Sequence, residues 1–257
     1  MLRAFHPQPV PADAETLTLA KEESFHLAKV LRAGANEPVS AFDGRGNFFT
    51  GKIVGGNANA LTISIEKREN VPAPRCRISL AQALPKGSLT DDIVRQATEI
   101  GAARIFPILS ARCEVKLDAT RAAHKLERWR AIAIEACKQS GNPFLPEICE
   151  PIPLKKFLEM MREENARENT LMLTASLESA TRECAEIARE NAKSPPEEVL
   201  WLVGPEGDFT EEEYALARES GFAPARLGGN VLRAITASIY VLAVSDQFRR
   251  SWFPAPN

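Results

Sequence analysis

Residues 199–244, VLWLVGPEGDFTEEEYALARESGFAPARLGGNVLRAITASIYVLAV, place two glycine turns between apolar runs and helical stretches. Val199 to Val203 is an apolar run of strand length, and Gly204 to Gly207 (GPEG) is a turn. Thr210 and Glu213 stand at the T-x-x-E spacing of a capping box, in which hydroxyl and carboxylate satisfy the first backbone N–H groups of a helix. Gly221 comes after the end of that helix, where a residue without a Cβ adopts the left-handed conformation at least cost. Ala225 to Leu227 then leads into a second turn at Gly228-Gly229, and another helical stretch begins beyond it. In a parallel α/β sheet such junctions lie at the carboxyl ends of strands, where glycine lets a ligand approach the backbone. One strand–turn–helix junction occurs in every α/β protein; two in so short a stretch point to a ligand site. The pattern is neither G-x-G-x-x-G nor G-x-x-x-x-G-K-[ST], so dinucleotide and P-loop readings lose their main support.

Outward from this stretch the composition divides the chain near NVPAPR, residues 70–75. Before it, FDGRGNFFTGKIVGGNANALTISIEKR holds short β-rich runs broken by Asp-Gly, Gly-Gly and Asn, the pattern of hairpins in a small barrel or sheet. After it, apolar runs at Ile78–Leu84, Ile105–Leu109, Leu171–Thr174, Val199–Val203 and Ala225–Leu227 alternate with helical stretches. Thr90–Ile100, for example, opens with a cap and two acids, places Ile93, Ala97 and Ile100 on one face and stops at Gly101. This alternation predicts a parallel sheet with helices on both faces. The expected division is 1–72 for a β domain and 73–257 for an α/β domain.

At 257 residues and 44% hydrophobic the chain can bury one large core or two smaller ones. A net charge of −2 argues against bulk electrostatic attraction to nucleic acid, so an RNA partner would need a local basic patch. Cys76, Cys113, Cys137, Cys149 and Cys184 are widely spaced, odd in number and without a C-x-x-C pair. They read as thiols in a reducing cytoplasm and not as a disulfide or zinc framework. His6, His26 and His124 lack metal-ligand spacing, and no metal is expected. MLRAFHPQPV has no apolar signal region and no run reaches the length of a membrane span, so a soluble cytoplasmic protein is expected.

GPEGDFTEEE followed by LGGNVLRAITA resembles the paired motifs, roughly GPEGG-(F/L)-(S/T)-x-x-E and LG-x-R-I-L-R-T-E-T-A, of the RsmE family of 16S ribosomal RNA uridine N3-methyltransferases in the SPOUT superfamily. HLAKVLR (26–32), FDGRG (42–46), KGSLTDDIVRQATEIGAARIFPILSARCEVK (86–116) and KLERWRAIAIEACKQSG (125–141) resemble further blocks of that family in the same order. The resemblance implies an α/β fold: a small N-terminal PUA-like β-barrel domain for RNA, and a C-terminal SPOUT domain whose parallel sheet carries a trefoil knot. It implies S-adenosylmethionine as cofactor, held by three loops. Leu173, Thr174 and Ala175 would belong to the first, Val203, Gly204, Glu206 and Gly207 to the second, Leu227, Gly228 and Leu232 to the third, with Ala237 beyond it. It also implies a homodimer, which would cover a final helix made apolar around much of its circumference by Ile235, Ile239, Tyr240, Leu242 and Val244.

For RNA the candidates are Lys29, Arg32 and Arg45 in the β domain and Lys86, Arg95, Arg112 and Lys116 in the second. Each alone reads as a solvated surface charge; their place inside the resembling blocks favours phosphate contact, which positions RNA without reading it. Phe42, Phe48 and Phe49 could stack on bases, but at strand spacing they read as core. Arg121, His124, Lys125 and Arg128 read as a solvated helix face. Methyl transfer to uridine N3 displaces a proton and builds negative charge on the uracil face, which calls for a nearby cation. Arg233, within the LRxxTA block, is the expected catalytic residue; its bland role is an ion pair to Glu206 or Asp208. Two departures from the family pattern stand out: Ala234-Ile235 where Thr-Glu is usual, and Asn142 where an arginine is usual. The expected function is methylation of a decoding-region uridine of 16S RNA in the small ribosomal subunit. The alternatives are a SPOUT methyltransferase for another RNA position, ribose 2′-hydroxyl included, and a non-catalytic RNA-binding assembly factor.

Overall fold

The computed structural model describes residues 1–114, 117–165 and 169–254. They form two compact units, Met1–Ala73 with Ile134–Leu145, and Pro74–Ala133 with Pro146–Asn257.

The first unit contains β1 (Leu2–Phe5), β2 (Thr16–Thr18), β3 (Pro38–Phe42), β4 (Asn47–Asn57), β5 (Ala60–Ser64) and β6 (Lys67–Asn70), with a short helix α1 (Lys21–Phe25) running into a π-type turn at His26–Val30. Strand order is β1-β3-β4-β5-β2, with β6 also paired to β4. The β3–β4 pair is the antiparallel hairpin that Asp43-Gly44 predicts, whereas Gly55-Gly56, read as a break, lies inside β4 next to a register shift, and the β4–β5 hairpin turns two residues later at Ala58-Asn59. Alternation along β4 and β5 sends Phe49, Ile53, Leu61 and Ile63 into a core with Ala4, Leu17, Leu27 and Val39. Phe42 and Phe49 are buried, so the core reading of these rings holds over base stacking. The segment 134–145 returns to this unit, where the Arg3 guanidinium donates to the carbonyls of Lys138 (2.7 Å) and Gln139 (2.9 Å).

The second unit is built on β7 (Arg77–Ala83), β8 (Arg104–Leu109), β9 (Glu147–Ile148), β10 (Ile152–Pro153), β11 (Thr170–Ala175), β12 (Arg182–Glu183), β13 (Glu198–Val203) and β14 (Ala223–Arg226). All pair in parallel, in the order β10-β8-β7-β13-β11-β14-β12, with β9 also on β8. The helices are α2 (Leu89–Ile100), α3 (Ala119–Ser140), α4 (Leu154–Asn165), α5 (Cys184–Asn191), α6 (Glu211–Glu219) and α7 (Ala234–Trp252); the end of α3 belongs to the first unit. Central strands of a parallel sheet are covered on both faces and are apolar throughout, which is why β13, EVLWLV, is buried along its whole length. Ala81, Ala83, Phe106, Ile108, Met172, Leu200 and Leu202 point one way, onto Phe157, Leu158, Tyr214 and Ala217 of α4 and α6. Trp201 points the other way, and its indole N–H donates to Ser245 Oγ of α7 at 2.8 Å. Each fully buried large side chain contributes about 1.5–3 kcal/mol of hydrophobic stabilisation.

One local expectation shifts. α2 begins at Leu89 with Ser88 as its N-cap, and Thr90 is buried within the helix. A side-chain cap bond is absent there, so burial of the apolar face, not capping, fixes the start. The stop at Gly101 is as read, with φ +97°.

Among the described residues no helix is long and apolar enough to cross a membrane. All five cysteines are free thiols, and no group of three or more potential metal ligands occurs among the described residues.

Candidate cofactor and substrate site

The carboxyl ends of β11, β13 and β14, three adjacent strands, open into one cleft of about 560 Å3. Three loops and the first turns of α7 form its walls. This is where a parallel sheet places ligands, and the volume lies within the range that holds a small-molecule cofactor.

The loop after β13 is the most heavily braced. The capping box predicted for α6 is present: Thr210 Oγ1 accepts from Glu213 N at 3.2 Å, and Glu213 Oε2 accepts from Thr210 N at 3.0 Å. Glu213 Oε1 also accepts from Ala111 N at 2.7 Å. Asp208 holds a left-handed φ of +61°, and its Oδ1 accepts from the Tyr214 hydroxyl at 2.7 Å. Burial, reinforced by Asp208, pushes the Tyr214 phenol well above its ordinary value and keeps it a donor. A Cβ on Gly204 would stand 3.1 Å from Asp208 Oδ1, so the turn needs glycine there to close. Glu206 accepts from the backbone N–H of Lys86 at 3.1 Å, tying this loop to the one after β7.

The third loop has a different requirement. Gly228 has φ +145°, a conformation L side chains rarely adopt, and a Cβ there would meet nothing within 4 Å. Gly228 lines the cleft, where its backbone carries no side chain of its own to keep a ligand away. This cradle next to bare backbone fits the cofactor that the resemblance implies.

Of the expected cofactor residues, Ala175, Val203, Gly204, Glu206, Leu227, Gly228, Leu232 and Ala237 line the cleft, together with Arg233. Leu173 and Thr174 lie behind it as buried residues of β11, and Gly207 sits on the outer side of its turn beside the Arg112 side chain. Asn230, inside the third loop expected over 227–232, lines the cleft as well, whereas Ser176, Glu178 and Asp208, also in the lining, were not among the expected cofactor residues. Asp208 had a legible signal, since Asp is one of the few residues that tolerates the left-handed region at a turn before a helix.

Arg233 is the N-cap of α7, exposed at the cleft; its carbonyl accepts from Ala237 N at 2.8 Å, and its side chain makes no hydrogen bond or ion pair among the described residues. The ion pair to Glu206 or Asp208 does not form: those carboxylates are occupied by Lys86 N and Tyr214 Oη. No acid stands in the first turn of α7, where the family's usual glutamate would lie. Asn142 lies in the returning segment of the first unit, where its Oδ1 accepts from Phe144 N at 3.0 Å.

The expected RNA residues separate by what they already touch. Lys29 and Arg32 are exposed in the first unit, Arg32 with a left-handed φ of +56°. Arg45 donates to the Pro7 carbonyl at 2.6 Å and remains exposed. In the second unit Arg95 pairs with Asp92 at 2.6 Å and Lys86 with Glu114 at 2.5 Å, both at the surface. Arg112 faces inward to the braced loop: its Nη1 donates to the carbonyls of Gly207 (2.7 Å) and Phe209 (3.2 Å). Lys116 lies outside the described residues. Arg121, His124 and Arg128 form the solvated helix face expected of them, paired with Asp118, Glu127 and Asp91 respectively.

Comparison with known proteins agrees with this geometry. Residues 72–246 match the RNA methyltransferase domain family and residues 19–66 the RNA methyltransferase PUA domain family. The chain is 32% identical over 231 residues to a ribosomal RNA small subunit methyltransferase E from Synechocystis, covering 89% of this chain and 72% of that protein. It is 28% identical to a protein of the same name from Mycobacterium bovis, covering 96% of this chain and 92% of that one. Among solved structures, a Legionella pneumophila protein described as a methyltransferase in complex with bound SAM is 32% identical with TM-score 0.82, covering 95% of this chain and 96% of that one. A ribosomal RNA small subunit methyltransferase E from Neisseria gonorrhoeae bound to S-adenosylmethionine is 28% identical with TM-score 0.84, covering 96% and 97%. With the loops, the cleft and the order of motifs all in register, the chain belongs to the ribosomal RNA small subunit methyltransferase E family of RNA methyltransferases.

Proposed function

We propose that this chain is an S-adenosylmethionine-dependent methyltransferase acting on N3 of a decoding-region uridine of 16S ribosomal RNA, in the small ribosomal subunit, as a cytoplasmic homodimer. The observation that carries the reading is an uncompensated arginine at the edge of a glycine-cradled cleft on the carboxyl ends of three parallel strands. The cofactor, when bound, supplies an electrophilic methyl group on a sulfonium. Gly228 would let it approach the backbone, Gly204 lets the neighbouring loop fold tightly on Asp208, and Ala237 on α7 supplies a small apolar wall. Before N3 could take the methyl group its proton would pass to water, leaving negative charge on the uracil ring that is discharged as the new N3–carbon bond forms. Arg233 stabilises that charge; having no side-chain partner among the described residues, its guanidinium is available without first breaking a bond.

Arg32, Lys29 and Arg45 of the first unit are exposed cations suited to phosphate contact. Tyr240 on α7 is 40% exposed and Val231 77% exposed, which supports a second copy as cover for this edge of the unit. The test is nucleoside mass spectrometry of small-subunit RNA after incubation with the protein and labelled cofactor. N3-methyluridine is the expected product; 2′-O-methylation or no transfer overturns the assignment.

A further inference from the structure

Gln82 lies near the end of β7 in the otherwise apolar run LAQAL, 1% exposed, on the face of the sheet that meets α7. A buried amide has to satisfy two donors and an acceptor or lose stability. Here Nε2 donates to the carbonyls of Ala83 (2.7 Å) and Gly204 (3.1 Å), while Oε1 accepts from the hydroxyl of Ser238. The orientation of the amide is set by the carbonyls, since only nitrogen can face the Ala83 and Gly204 oxygens; this leaves Oε1 beside the Ser238 hydroxyl, whose single proton it shares with the Ala234 carbonyl at 2.8 Å. Gly204 opens the loop after β13, and Ser238 sits in the second turn of α7, next to Ala237. One side chain therefore bonds to both walls of the cleft without lining it.

We propose that Gln82 is a positioning residue for methyl transfer: it fixes the spacing between the cofactor loop at Gly204 and the helix turn that presents Arg233 and Ala237. The inference rests on the reading of the cleft as the cofactor site. Its chemistry gives it a signature that a merely space-filling residue lacks. In Gln82→Glu the shape is kept, but a carboxylate would face the Ala83 and Gly204 carbonyls, and buried among acceptors it would hold its proton far above the usual carboxylate range. The neutral acid can donate its single proton toward Gly204 and accept from Ser238, so the link re-forms when the group is protonated and is lost when it ionises. The folded-state pKa is raised, so the link is present at low pH and disappears as pH rises.

S-adenosylmethionine affinity of the intact protein, measured by calorimetry between about pH 5.5 and pH 8.5, decides it. Relative to wild type at each pH, Gln82→Glu is expected to bind about tenfold more weakly at the alkaline end, the size of a buried hydrogen bond lost, and within about threefold at the acidic end. Ser238→Ala, which leaves the Gly204 contact, is expected to weaken binding about three- to tenfold with no pH dependence of the ratio, and it carries the test if Gln82→Glu fails to fold. Wild-type affinity in both variants, or a Gln82→Glu deficit that persists unchanged on acidification, overturns the proposal. Failure of the wild-type protein to bind the cofactor would instead overturn the cofactor reading on which it stands.

Discussion

Arg112→Ala distinguishes two uses of one cation. The sequence assigns Arg112 to RNA by its place in SARCEVK, but the structure turns it onto the Gly207 and Phe209 carbonyls at 2.7 and 3.2 Å. A hydrogen bond from a charged donor is worth about 1.5–3 kcal/mol when sheltered. The Arg112 side chain is exposed and its second contact long, so about 1–1.5 kcal/mol for the pair is the reasonable figure. That loss falls on residues 204–210, and a cofactor that needs the loop closed binds more weakly by up to the same free energy, about five- to tenfold. The melting temperature should fall by about 2–4 °C, as expected for about 1 kcal/mol in a chain of this size. Binding to a small-subunit RNA fragment is then measured across a salt series. A brace leaves the salt slope unchanged, whereas a lost phosphate contact reduces it by about one unit. Arg112→Lys sharpens the contrast, because it keeps the charge but replaces the planar fork by an ammonium. The brace is refuted if Arg112→Ala lowers the salt slope while cofactor affinity stays at the wild-type level.

Arg233→Ala, removing an exposed and unpaired side chain, should change stability by less than about 0.5 kcal/mol and leave cofactor affinity nearly intact, while single-turnover methyl transfer slows about a hundredfold; loss of cofactor binding would show a structural role instead. Ile235→Glu places an acid in the first turn of α7 beside Arg233, so the melting temperature should rise slightly through the helix dipole, and a fall in transfer rate would mean that the new carboxylate withdraws Arg233 from the substrate. Gly228→Val should abolish cofactor binding in calorimetry, since it strains a φ of +145° in a residue that lines the cleft, yet far-ultraviolet circular dichroism should stay native. Glu198→Ala strips the carboxylate from Arg104, whose side chain is 16% exposed, and should cost about 3–5 kcal/mol in denaturant unfolding; a loss below about 1 kcal/mol would show that the pair contributes little. Burial lowers the pKa of His6 below 6.5 despite the opposing pull of Asp43, so below that pH the unfolded chain binds more protons than the folded one and stability falls. His6→Gln should flatten the melting temperature between about pH 6.5 and pH 5, and an unchanged acid slope would dismiss this account.

Local chemistry is legible in the sequence, and long-range placement is not. The capping box at Thr210 and Glu213, the left-handed Gly101 and Gly221, and the apolar runs of β7, β8, β11 and β13 are consequences of backbone hydrogen bonding and period alone. β9, β10 and β12 are two residues each, too short for any period, and they exist because longer neighbours offer open edges. The return of Ile134–Leu145 to the first unit carries no composition signal, because α3 is continuous across the change. Arg112 shows the limit most clearly: a long cation has the same letter whether its fork meets phosphate or two carbonyls, and only the fold decides. Gln82 was more accessible. An amide inside an apolar strand has to find partners, so its presence alone marks a buried polar link, although not which two elements it joins.

The two ends of β13 divide the work of the second unit. At the amino end Glu198 is fully buried and accepts from Ser79 Oγ, from Arg77 at 3.0 Å and from Arg104 at 3.1 and 2.7 Å, knitting β13 to β7 and β8. At the carboxyl end the chain leaves the sheet, and its loop is held by one hydrogen bond each from Gln82, Lys86 and Tyr214 and two from Arg112, reaching it from separate segments of the chain. Buried charge lost at the first end removes several kcal/mol from the whole unit, whereas one brace lost at the second removes about one, most of it local. A ligand site needs this asymmetry, because loops that admit a cofactor have to open at modest cost from a frame that does not move. Substitutions should therefore sort by strand end: those at the amino ends read out in unfolding, and those at the carboxyl ends in cofactor affinity and transfer rate.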